Sequence, residues 1–144
     1  MRVLTLLTLL ASFLGACTMA NFTPQARFSE SAFLLNDCSR WGQVDKAIYH
    51  VSAKYAVKFV ERHREWGETV SIADIDLVSM KLADDHMTAT SEIKLSWFDQ
   101  NGIMVRNSVV TQKWESAGGK YVLVDEAVRR GDPAVFAQPP PKGS

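Results

Sequence analysis

Few residues in this 144-residue chain can do chemistry. Its histidines are His50, His63 and His86, and its cysteines are Cys17 and Cys38. A metal site needs such ligands in pairs at short, fixed spacing, so that two of them share one helix face or one loop. His50 and His63 stand thirteen residues apart, and no His-x-x-x-His or His-Glu-x-x-His pair exists. Glu61, His63 and Glu65 alternate, but alternate residues of a helix do not share a face, so a solvated surface is expected there. The Ser/His/Asp and Cys/His nucleophile signatures are missing, as is a glycine-rich phosphate loop. No metal, no cofactor and no catalytic residue is expected.

Cys17 is the exception, because of what precedes it. Arg2 is a positive start, Val3 to Leu14 is an uncharged, mostly apolar run, and Gly15-Ala16 are small. The run is too short for a bilayer, which needs about 20 residues, and fits a secretory signal. Leu14-Gly15-Ala16-Cys17 resembles a bacterial lipobox. The resemblance implies cleavage between Ala16 and Cys17, and acylation of Cys17 by diacylglycerol and palmitate-like chains. An ordinary signal peptide that happens to hold a cysteine is the alternative. Two or more acyl chains hold a protein on a membrane durably, at about 0.8 kcal/mol per buried CH₂. The residue after the cysteine is Thr18 rather than Asp. By the common enterobacterial sorting rule this implies the outer membrane, facing the periplasm.

Behind these residues stand the elements that must position everything else. Residues 1–16 are expected to be the signal, 17–23 a lipidated tether, 24–128 a single domain and 129–144 a flexible, Pro-rich tail. Removing the signal leaves 128 residues, enough for one core. The chain carries 16 basic and 16 acidic residues, so nucleic-acid binding has no electrostatic support. Cys38 has no second thiol once Cys17 is acylated, and is expected as a small buried hydrophobe.

Thr23-Pro24 is a helix start, and the first helix is expected over 24–41 with Ala26, Phe33, Leu34, Cys38 and Trp41 facing inward and Gly42 as its stop. A second helical region over 44–66 is expected to break near Val51-Ser52-Ala53. From Glu68 the apolar period changes to two. A slip in parity predicts a bulge near Ala73-Asp74 in the first strand. The next strand places Met87, Ala89, Ile93, Leu95 and Trp97 on the core face. Asp99 to Gly102 carries the Asn-Gly hairpin signal. A strand over 103–115 and a last one over 121–125 follow, the latter expected to be central or covered on both faces. After Glu126 the pattern decays into a loop.

Helices first and a meander of strands after them make an α+β domain. The order is similar to the nuclear-transport-factor-2-like superfamily, a cone of helices on a curved antiparallel sheet. Trp41 to Ala47, Tyr55 to Trp66, and Thr111 to Glu115 with Gly118 to Val122 carry the resemblance. Enzymes on that cone tend to use a carboxylate with a tyrosine or another carboxylate deep inside it. Here that implies Tyr49 or Tyr55 with Asp74 or Asp76, but the two aspartates share a strand face expected in solvent. The resemblance also implies pairing of such sheets through their outer face.

Trp97 and Phe98 are adjacent on a strand, so one must point outward. With Trp97 inward, Phe98 is the expected interface residue, either against a protein partner or in a homodimer. The sequence therefore points to a membrane-anchored envelope lipoprotein that binds a protein or stabilises an assembly. A carrier or sensor of a small apolar ligand in the cone is the alternative, and an enzyme a more distant one.

Overall fold

The computed structural model describes residues 23–138. Cys17, its cleavage junction after Ala16, the tether up to residue 22 and the Pro-rich residues 139–144 lie outside the described residues. The described elements are α1 (Pro24–Arg40), α2 (Val44–Ala47), a 3-10 turn (Ile48–His50), α3 (Ala53–His63), β1 (Val70–Leu82), β2 (Thr88–Asp99), β3 (Arg106–Ala117), β4 (Lys120–Gly131) and a second 3-10 turn (Pro133–Val135). The strands form one antiparallel sheet in the order β1-β2-β3-β4.

Local chemistry sets the boundaries. Thr23 Oγ1 accepts from the Ala26 amide at 3.1 Å, and Pro24 fills the first helical position, where its missing N–H costs nothing. At the other end Gly42 takes φ 68°, its amide donating to Ser39 O and that of Gln43 to Cys38 O. Space fixes the same glycine: a Cβ there would lie 2.7 Å from Trp66 O and 2.8 Å from Gly67 Cα. The expected break in the second helical region is real. Val51 leaves the helix to bridge Leu123, and the Ser52 amide donates to Leu123 O at 2.9 Å.

β1 slips register between Ile72 and Asp74, as the parity change predicts, and again between Leu77 and Ser79. These bulges bend the sheet, so that its inner face wraps the helices. On that face Ala89, Ile93, Leu95 and Trp97 are buried as expected, whereas Met87 is exposed at the strand's start.

Several expectations need correction. The buried stripe of α1 is Phe28, Ser31, Ala32, Leu35 and Ser39. Phe33, Leu34 and Trp41 are exposed, and so is Val60 on α3. The apolar count misled here because the inward face carries two serines. Cys38 is free and only half-buried, packed against the core edge. β3 begins at Arg106, and Ile103, Met104 and Val105 stand in solvent. β4 is an edge strand; it is covered at Tyr121–Leu123 because the Val51–Ser52 segment docks on it. It also runs on to Gly131, well past Glu126. The chain then folds back, burying Val135 and Phe136, so residues 129–138 belong to the domain rather than to a tail. Trp66 fixes this return: its Nε1 donates to Val135 O at 2.6 Å and its ring stacks on Phe136.

Leu95 is fully buried and Lys94, its neighbour, is exposed. Leu95→Ala should cost about 2–5 kcal/mol in urea unfolding, through lost contacts and a cavity. Lys94→Ala should stay within about 0.5 kcal/mol. A neutral Leu95→Ala would contradict the register.

Candidate functional site

The tyrosine–aspartate pairs do not assemble. Tyr49 is exposed; Asp74 stands in solvent, ion-paired with Arg40 at 3.5 Å, and Asp76 is exposed on the outer face. His86 is exposed in a turn and His50 is half-buried. Among the described residues no three His, Cys, Asp or Glu side chains gather as a metal would need. His63 overturns the solvated reading of its segment: its side chain is 2% exposed, and it faces the equally buried Glu126.

Glu126 belongs to a polar row that crosses the sheet. Ser91 pairs in register with Gln112, and Gln112 with Glu126, so all three point inward side by side from β2, β3 and β4. All three are buried. Buried polar groups need partners, and the helices supply them. Asn36 of α1 exchanges two hydrogen bonds with Gln112, Nδ2 donating to Oε1 at 3.1 Å and Oδ1 accepting from Nε2 at 2.9 Å. Ser91 Oγ donates to Gln112 Oε1 at 3.0 Å and accepts from Trp114 Nε1 at 2.9 Å. Tyr55 of α3 donates to Glu126 Oε1 at 3.4 Å, and His63 Nε2 lies 3.4 Å from the same oxygen.

The protonation of this pair follows from its surroundings. His63 Nδ1 sits 2.9 Å from Phe59 O, an acceptor, so Nδ1 carries the hydrogen and Nε2 is bare. Burial pushes His63 down to about 3 and Glu126 up to about 8. Both shifts favour the uncharged pair, a protonated carboxyl beside a neutral imidazole. Burial also raises the Tyr55 phenol.

A neutral imidazole, a carboxylic acid and a phenol are the parts of an acid–base site. None of them is open to a substrate: Phe59, Trp66 and Phe136 pack around the His63 ring, with centroids 4.0, 4.5 and 5.1 Å away. What the cluster does in this arrangement is tie α3 and the returning C-terminal segment to β4. The signal that could have found it was a gap. Ser91 sits at an inward position of an otherwise apolar alternation, and its partners across the sheet are then Gln112 and Glu126.

Outside the cluster, a groove of about 580 Å³ runs between α3 and the C-terminal segment, with Lys58, Arg62, Arg64, Val128, Pro133 and Phe136 among its walls. Phe98 faces outward as expected, opposite Ser71, and is 37% exposed. It sits at the hairpin end that carries the exposed Ile103, Met104 and Val105.

The buried pair gives a stability profile with a definite sign. Between about pH 4.5 and 8 the folded chain keeps the Glu126 proton that the unfolded chain loses, so stability falls as pH rises. Between about pH 3 and 6.5 the unfolded chain protonates His63 and the folded one does not, so stability falls as pH falls. The two oppose each other from 4.5 to 6.5, leaving an alkaline loss between about 6.5 and 8. Glu126→Gln keeps a hydrogen-bonding amide but removes the titration. Urea melts from pH 5 to 9 should show the alkaline loss in the wild type and its absence in the variant; parallel profiles would contradict the assignment.

No protein-family model matches the chain, and no curated protein does. Solved structures do share the fold. A SEC-C motif containing protein from Rhodopseudomonas palustris superposes with a TM-score of 0.57 at 12% identity, over 74% of this chain and 85% of that one. A protein from Nostoc punctiforme, described as of unknown function with a cystatin-like fold, gives 0.53 at 11%, over 77% and 92%. Identities this low carry the architecture alone. The chain has an α+β cone fold, helices on a curved four-stranded antiparallel sheet, similar to the cystatin-like fold.

Proposed function

We propose that this chain is an envelope lipoprotein, anchored through acyl chains on Cys17, whose domain is a non-enzymatic protein-binding or assembly-stabilising module. The observation that carries the reading is the filled cone. Phe28, Phe59, Trp97 and Trp114 are each at most 1% exposed and occupy the space between helices and sheet. The one acid–base constellation within it is sealed. Large apolar side chains stand instead on the outside, at Phe98 and along Ile103 to Val105. Exposed aromatic and aliphatic residues of this kind anchor interfaces. A carrier with its ligand in the cone finds less support, since it needs a hollow where these rings lie. The lipobox residues support the anchor, and among the described residues no helix is long and apolar enough to cross a membrane. Thr18 after the cysteine supports the outer membrane, facing the periplasm.

Cys17→Ser should abolish fatty-acid labelling and leave the precursor uncut after Ala16, and the wild type should band with the outer membrane on a density gradient. Equal label on both proteins would remove the anchor, and banding with the inner membrane would remove the sorting. Phe98→Glu in the lipidated protein should leave the melting temperature intact and shift the oligomer size or the set of crosslinked partners, since truncating an interface anchor costs about 2 kcal/mol or more of binding. An unchanged assembly would exclude Phe98 as the anchor.

A further inference from the structure

We propose that the groove between α3 and the C-terminal segment binds a small amphiphilic anion, an alkyl or aryl carboxylate whose head meets Arg62 and whose apolar body lies on Val128 and Pro133. The site is separate from the cone interior and does not depend on the lipid anchor. Lys58, Arg62 and Arg64 line it with the carboxylate of Glu61; Lys58 lies 4.0 Å from Asp125 and Arg64 3.8 Å from Glu65, which leaves Arg62 as the cation without an ion pair among the described residues. Arg62 is the central cation. Its guanidinium lies over the Phe136 ring at 4.2 Å, and its Nη1 donates to Glu126 O at 2.8 Å. These two contacts fix the group in place while leaving further N–H donors of the fork to a ligand. No carboxylate of the described residues makes an ion pair with it within 4.0 Å. Burial pushes the nearby Glu126 carboxyl up to about 8, against the pull of Arg62 itself, which disfavours its charged form. A preorganised cation with no ion-paired carboxylate within 4.0 Å among the described residues, in a groove with an apolar wall, is complementary to an anion with an apolar tail.

Size restricts the occupant further. About 580 Å³ lies within the range of small-molecule sites, about 300–1,000 Å³. The Ala137 amide donates to Arg62 O, and Arg64 Nη2 donates to Gln138 O at 3.1 Å, so the C-terminal wall of the groove is held to α3.

The test is a titration of the full chain, held in a non-ionic detergent, with octanoate, acetate and octylamine, followed through the methyl resonances of Val128. Octanoate should bind more tightly than acetate, which lacks the tail, and than octylamine, which carries the opposite charge. Arg62→Gln should weaken octanoate about tenfold, the effect of losing one charge-assisted contact. Because Arg62 also ties α3 to β4, the exposed pair Lys58→Gln/Arg64→Gln provides a second variant, expected to weaken binding several-fold with an unchanged melting temperature. Octanoate no tighter than acetate or octylamine would overturn the proposal. So would wild-type affinity in both variants.

Discussion

The row Ser91–Gln112–Glu126 constrains the rest of the structure. Three polar side chains in register across the inner sheet face must all be satisfied without water, and leaving one buried group unpaired costs about 1–3 kcal/mol. The row divides the core. One apolar cluster, with Phe28, Trp114 and Leu123, lies to one side; the other, with Trp97, Leu95 and Phe136, lies to the other side. The helices are positioned to serve it. α1 is rotated so that Asn36 reaches Gln112, which turns Phe33 and Leu34 outward. α3 is placed so that Tyr55 and His63, two turns apart, both reach Glu126. Register and helix rotation are thereby fixed together, a specificity that apolar packing alone gives less sharply.

The features legible in the sequence were those decided within a few residues. The Thr23-Pro24 cap, the Gly42 stop, the break before α3, the bulge after Ile72 and the inward face of β2 all follow from local sterics, caps or strict alternation. What was not legible depended on partners far along the chain. The inward face of α1 holds Ser31 and Ser39, so hydrophobicity pointed to the wrong side. Ser31 is buried because it accepts from the Tyr121 amide, ninety residues away. His63 looked solvated among four charged neighbours, but the returning Phe136 covers it. β4 looked finished at Glu126 because its second half is an edge with polar residues on its outer face.

The same division separates what the interior does from what the surface can do. Inside, polar and aromatic groups hold one another, and the acid–base parts face each other rather than a substrate. Outside stand an apolar hairpin end, with Phe98 and Ile103 to Val105, and a groove lined by Lys58, Arg62 and Arg64.

The His63–Glu126 contact is a neutral, sealed clamp rather than an ion pair or a working acid–base centre. Nitrogen-15 NMR of the His63 ring measures this directly. A neutral imidazole is expected from about pH 5 to 7, with the hydrogen on Nδ1 and Nε2 bare toward the Glu126 carboxyl. Both nitrogens protonated at neutral pH, or a His63 that titrates near 6.5 as in free solution, would contradict it.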